Sequence, residues 1–299
     1  QASLTEFGEA NGIEITFTSL AAFDKDIKVK IEAGQEPDIA LWPQPGGLKD
    51  LADSLIPLKE VVDLGAIQES LVPGWDTLAV KGGKTYGLPV SANVKSLVWY
   101  NPVSFKAAGL AVPTTDAQLT ALTSKIKSKK LGFPWCVGIE SGGATGWAAT
   151  DWLEEYVLRY GGVATYNKWW KGKVAFNSPI VTKAGKKVAE VMLTAGNVNG
   201  GGKSIAATGF GNTAALFATD ANKCFMMRQG SFITDFFPDA IKAEYKANDF
   251  THVGVFKLPT PAGATDGVLG GGDLAAGFND NAGTKKVLGF ILSDKLGQG

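Results

Sequence analysis

Leu4, Phe7 and Ala10 recur at helical spacing until Asn11-Gly12 stops them, and Ile13-Glu14-Ile15-Thr16-Phe17-Thr18 then alternates as a strand does. Phe23 to Ala33 predicts an amphipathic helix with Ile27, Val29 and Ile31 available to a core. Gly34 ends it, and Pro37-Asp38-Ile39-Ala40-Leu41-Trp42 predicts a buried parallel strand. Leu48 to Leu55 reads as a further helix, Lys84 to Pro89 as a turn and short strand, and Val94 to Tyr100 as a strand rich in Val, Leu, Trp and Tyr. This alternation of strands and helices predicts an α/β fold with a parallel-type sheet.

The texture changes after Asn101-Pro102. Gln118 to Lys130 predicts a helix, Pro134 to Ile139 a strand, and Asp151 to Tyr160 a helix that Asp151 caps from its first turn. Beyond Ser178 a long helical zone sets Val181, Ala184, Val188, Val191 and Met192 on one face. Cys224 to Met227 and Val253 to Leu258 read as strands, Pro259 to Gly263 as a loop, and Leu274 to Phe278 as a short strand before a helix from Thr284. No internal repeat interrupts this order.

The 299 residues give room for two lobes with a core each, since single cores stop growing near ~250–300 residues. Lys+Arg and Asp+Glu are equal at 29 each, a balance that argues against nucleic acid or an anionic membrane as the main partner. Arg159 and Arg228 are the only arginines, too few for the clusters that grip phosphates. No stretch approaches the ~20 apolar residues of a membrane span. The chain opens on Gln1-Ala2-Ser3-Leu4 with no basic-then-apolar segment, so a signal either never existed or lies upstream. Cys136 and Cys224 sit in no CxxC motif, and read either as two buried thiols or, the sharper reading, as one disulfide of an exported protein.

Catalytic chemistry finds little to work with. His252 is the only histidine and no GxSxG accompanies it, so a nucleophile–base system lacks its parts. Metal sites of the His-rich or four-Cys kind are excluded by counting. Gly200-Gly201-Gly202-Lys203-Ser204 ends like a phosphate loop, but position 197 is Asn and no strand precedes it. Asp151, Glu154 and Glu155 cluster near Trp147 and Trp152, with Asp273 in another loop. Asp151 and Asp273 as an acid–base pair make a glycosidase reading. The bland reading has Asp151 capping a helix and Glu154 and Glu155 solvated. The third has carboxylates accepting hydrogen bonds from ligand hydroxyls.

Three segments carry a resemblance: Pro37-Asp38-Ile39-Ala40-Leu41-Trp42-Pro43-Gln44-Pro45-Gly46, Lys84-Thr85-Tyr86-Gly87-Leu88-Pro89, and Asn93-Val94-Lys95-Ser96-Leu97-Val98-Trp99-Tyr100-Asn101. In that order they resemble the family 1 extracellular solute-binding proteins, the maltose-binding-protein-like receptors of ABC importers. Thr145-Gly146-Trp147-Ala148-Ala149-Thr150-Asp151-Trp152, Gln229-Gly230-Ser231-Phe232-Ile233-Thr234-Asp235-Phe236-Phe237-Pro238 and Gly270-Gly271-Gly272-Asp273 narrow the likeness to the α-glucoside-binding branch. Such proteins begin with a strand and ligand-touching loop before the helix near Ser3, and continue with helices past the one at Thr284. The first lobe is therefore expected without its first strand and the second without its last helices.

The resemblance implies a type II periplasmic-binding-protein-like α/β fold of two hinged lobes with the ligand between them. Residues 1–95 and 270–299 would form the first lobe and 103–268 the second, with crossings at Asn93 to Trp99 and Leu269 to Asp273. It implies no enzyme activity and no cofactor or metal. The expected partners are a small sugar, an α-glucoside such as maltose, trehalose or sucrose, and a membrane permease; a polyol or other small solute is the alternative cargo. A monomer without nucleic acid, in the periplasm or lipid-anchored outside the cell membrane, completes the expectation. An indole covers a pyranose face and polar groups take its rim, which selects Trp42 and Trp147 for stacking and Asp151 and Asp273 as hydroxyl acceptors. Gln44, Asn93 and Lys95 add polar contacts, Ser231 and Phe232 line the second lobe's wall, and Gly271 and Gly272 lie beside Asp273. The same resemblance places Cys136 and Cys224 on neighbouring strands, and so implies a disulfide between them.

Overall fold

The computed structural model describes residues 2–20, 23–218 and 224–296. The chain folds into two compact units, Gln1–Ala92 with Gly271–Gly299, and Asn93–Gly270.

In the first unit, the strand Leu274–Gly277 runs between Ile39–Trp42 and Leu88–Pro89. Both pairings are antiparallel, with Trp42 opposite Leu274 and Leu88 opposite Ala275. The parallel strand expected at Pro37 to Trp42 is thus corrected. A short apolar run reads the same whichever way its neighbour points, and here the neighbour is a distant segment running the other way, with Leu41 left exposed. The period of two divides the core: Ala40, Trp42, Leu274 and Ala276 join Ile27, Leu48 and Leu55 in one cluster. Leu88 and Ala275 join Leu4, Leu58, Val287, Leu288 and Ile291 in the other. The helix Ala282–Ile291 covers that second cluster, and Asn281 caps it by accepting the Thr284 N–H at 2.9 Å. Among the described residues, the strand expected at Ile13 to Thr18 pairs with nothing. Ile13 and Ile15 pack on the Leu4 cluster and Phe17 stands in solvent, so the alternation records one apolar side without a ladder.

The second unit is built on four strands in the order Phe133–Trp135, Cys224–Arg228, Leu97–Tyr100, Gly254–Lys257. The first pair is parallel and the other two are antiparallel. The strand expected from Val94 is interrupted, because Lys95 donates its N–H to Leu269 O at 2.8 Å while Ser96 turns inward. The helices Asp116–Ser128, Trp147–Trp170 and Pro179–Leu193 supply Leu122, Ile126, Trp152, Tyr156, Val181 and Val191 to the main core. Helix Trp147–Trp170 starts four residues earlier than expected, and Gly146, in the left-handed region at φ 110°, holds the cap position. Asp151 therefore lies inside the helix and does not cap it. The helix bends at Gly162, whose φ of 73° and ψ of 170° suit glycine alone. Cys136 and Cys224 form a disulfide with their Cα atoms 5.3 Å apart, buried with Trp99, Ile233 and Phe237.

Candidate ligand-binding site

The site of the second unit is organised by a buried carboxylate. Glu155 and Arg159, one helical turn apart, are both fully buried, and the Arg159 Nε lies 2.7 Å from Glu155 Oε1. Arg228, from the central strand Cys224–Arg228, donates from Nη2 to Glu155 Oε2 at 2.9 Å. Ser96 Oγ lies 2.9 and 2.8 Å from the two carboxylate oxygens and accepts the Leu269 N–H at 2.7 Å. Arg159 reaches on to Thr260, whose hydroxyl bonds Asp266, itself paired with Lys257 at 2.6 Å. The only two arginines of the chain thus serve one glutamate. The bland reading, with Glu155 solvated, does not hold: Glu155 is fully buried among its partners, where only paired charge is tolerated. Sequence reasoning also passed over Arg159 and left Arg228 aside; the Glu-x-x-x-Arg spacing was the available signal.

One turn before Glu155, on the same helix face, Asp151 is buried and accepts from Lys95 Nζ at 2.8 Å. That ammonium also stands 5.9 Å from the centroid of the Trp147 ring. Trp147 is half-buried and wedged edge-on to Phe210 at 4.9 Å and tilted to Phe232 at 5.7 Å. Gly230 makes room for this wall, since a Cβ there would come within 2.6 Å of the Phe232 ring. Ser231 Oγ accepts the Val94 N–H and donates to Asn93 Oδ1, each at 3.2 Å. Trp147, Lys95, Asp151, Phe232, Ser231 and Asn93 are therefore brought together, with Phe210 as the member the sequence did not single out. Glu154, solvated only in the bland reading, accepts from the Tyr166 hydroxyl at 2.6 Å, and burial raises its carboxyl above the ordinary range, with Asp151 adding to the rise. Burial and the Glu154 charge push the Tyr166 hydroxyl up in turn.

In the first unit, Asp273 and Ser91 bond reciprocally: the Asp273 N–H donates to Ser91 Oγ at 2.9 Å, and that hydroxyl donates to Asp273 Oδ2 at 3.1 Å. Gly272 passes so close that a Cβ would lie 1.9 Å from Ser91 O, and Gly271 precedes it. Trp42 departs from its expected stacking role. Its indole is fully enclosed, edge-on to Phe23 at 5.5 Å and tilted to Phe278 at 5.8 Å, so neither ring face is open. Its Nε1 is buried without a hydrogen-bond partner, and with the exposed Gln44 it lines a cavity of about 180 Å³.

A partly open indole beside a fixed ammonium–carboxylate pair offers an apolar platform, a charged donor and a charged acceptor within one small area. That combination suits recognition of an amphipathic, hydroxyl-bearing molecule. Among the described residues no group of three His, Cys, Asp or Glu is placed to hold a metal ion.

The sequence profile of the family described as bacterial extracellular solute-binding protein matches residues 1–296. The osmoprotective compounds-binding protein GgtB of Synechocystis sp. is 35% identical over 297 residues, covering 98% of this chain and 68% of the relative. The alpha-glucosides-binding periplasmic protein AglE of Rhizobium meliloti is also 35% identical, covering 95% of this chain and 63% of the relative. The chain thus spans about two thirds of the length of these curated relatives. Among solved structures, a chitin oligosaccharide binding protein superposes with a TM-score of 0.76 at 22% identity, over 97% of this chain and 70% of that one, a likeness of fold.

Proposed function

Since the chain belongs to the bacterial extracellular solute-binding proteins, a family of binding proteins and not of enzymes, we propose that it captures a small carbohydrate for an ABC importer. The observation that carries this reading is the half-buried Trp147 beside the Lys95–Asp151 pair. The indole takes the apolar face of a pyranose, while Lys95 donates to its hydroxyls and Asp151 accepts from them. Asn93, Ser231 and Phe232 complete that wall. Gln44, Gly271, Gly272 and Asp273 are proposed as further polar contacts, whereas the enclosed Trp42 belongs to the core of the first unit. Both guanidiniums are held by Glu155, which leaves none to bind an anionic solute. The partner that receives the cargo is a membrane permease, and the receptor works as a monomer outside the cell membrane.

The cargo we infer is a short α-linked glucoside, a choice supported by the 35% identity to AglE. The likeness to GgtB supports a second reading, a neutral osmoprotective polyol. Calorimetry of the protein against α-glucosides, β-glucosides, polyols and amino acids separates them. Micromolar binding of an α-glucoside, about −8 kcal/mol, is expected. Micromolar binding of a polyol with no heat from glucosides transfers the assignment to the second reading, and binding of amino acids alone removes both. Trp147→Ala should weaken the cognate sugar by about 2 kcal/mol or more, and unaltered affinity would remove Trp147 from the site.

A further inference from the structure

The charge balance of the whole chain conceals a local excess. From Tyr156 to Ala189 there is no acidic residue, while Arg159, Lys168, Lys171, Lys173, Lys183, Lys186 and Lys187 fall within that stretch. Arg159 is held by Glu155, and Lys187 pairs with Asp116 and Glu190. The other five lysines are exposed and form no ion pair among the described residues. They sit on a helix–loop–helix segment whose first helix bends at Gly162.

Beyond the bend, Val163 and Trp170 fall on one exposed helix face, 58% and 46% accessible. Lys171 Nζ stands 4.9 Å from the centroid of the Trp170 ring. Trp169 packs inward against Tyr166 at 6.1 Å and braces Phe176 at 6.2 Å, which leaves Phe176 70% accessible. Lysines at a helix C-terminus are favoured by the backbone dipole, which accounts for Lys168 and Lys171 but not for the apolar side chains among them. A soluble polyanion would match the lysines and leave Val163, Trp170 and Phe176 in water. An anionic bilayer surface offers phosphates at the headgroups and an apolar boundary just below, the setting in which interfacial aromatics and lysines occur together.

We propose that this segment is a peripheral docking face for an anionic lipid surface, with Lys168, Lys171 and Lys173 at the headgroup phosphates and Trp170 and Phe176 at the acyl boundary. No helix among the described residues is long and apolar enough to cross a membrane, and the proposed contact needs none. Co-sedimentation with vesicles of equal parts phosphatidylglycerol and phosphatidylcholine tests it, with pure phosphatidylcholine as the comparison. Binding to the anionic vesicles alone is expected. It should fall at least about tenfold in the combined variant Lys168→Glu, Lys171→Glu, Lys173→Glu, since each lysine near such a surface contributes about fivefold. Trp170→Ser with Phe176→Ser should weaken it by a similar factor. Calorimetry with the cognate sugar should give the parent affinity in both variants, which separates this face from the sugar site. Absence of vesicle binding at low salt overturns the proposal, as does binding that the lysine variant leaves intact. Loss in the lysine variant with full retention in the aromatic variant also overturns it, in favour of an acidic protein partner.

Discussion

Glu155 shows how much a single side chain organises. It joins the helix Trp147–Trp170 to the strand Cys224–Arg228 through Arg228, and to the Leu269 backbone through Ser96. Breaking a buried ion pair leaves charge without a partner, so Glu155→Gln should cost about 3–5 kcal/mol in denaturant unfolding; a loss under 1 kcal/mol would mean that water reaches the arginines. Its neighbour Glu154 behaves oppositely. Its folded carboxyl is raised by burial, so between the ordinary carboxylate range and that raised value the folded state holds more protons than the unfolded one. Stability contributed by the neutral form is complete at low pH and declines as pH rises through that window. Glu154→Gln should therefore gain on the parent as pH is raised from about 4 to 7, and parallel stability curves would refute the raised carboxyl.

At the scale of elements, period and punctuation located helices better than their ends: the helix read from Asp151 to Tyr160 runs from Trp147 to Trp170. The helical zone read after Ser178 from the spaced Val181, Ala184, Val188, Val191 and Met192 is the helix Pro179–Leu193. Period and punctuation served less well where a partner decides. Nothing in Ile39–Trp42 states that Leu274–Gly277 will run antiparallel to it, and nothing in Ile13 to Thr18 states that no strand among the described residues lies beside it. Close approaches were equally invisible. Gly272 sits in a run of three glycines that reads as a flexible loop, yet a methyl group there would meet Ser91 O at 1.9 Å. Gly272→Ala should cost about 1–3 kcal/mol in thermal or denaturant unfolding, whereas a merely flexible loop would gain slightly from the change.

For the whole molecule, the family was legible because short motifs keep their order along the chain. Trp147 and Asp151 fall one turn apart on one helix and so were read together, whereas Lys95, Phe210 and Phe232 reach them from other segments. Trp42 was misjudged because its strand-end position reads as exposed, while Phe23 and Phe278 arrive from elsewhere to enclose it. The Glu155 centre was missed because charged residues near each other in sequence usually face water. The disulfide closes a separation of 88 residues, and removing it with Cys136→Ala and Cys224→Ala should lower stability by at most about 4–5 kcal/mol. Unfolding without reductant should expose no titratable thiol, and two thiols under those conditions would refute the bridge.

Confining every guanidinium of the chain to one buried centre also makes the protein chemically silent toward arginine-selective dicarbonyl reagents while it is folded. Arg159 and Arg228 become reactive only when the second unit opens around Glu155. Adduct formation by mass spectrometry then acts as a clock for that opening, in the manner of amide exchange. Its rate should slow when the cognate solute stabilises the closed packing, without any label having been introduced.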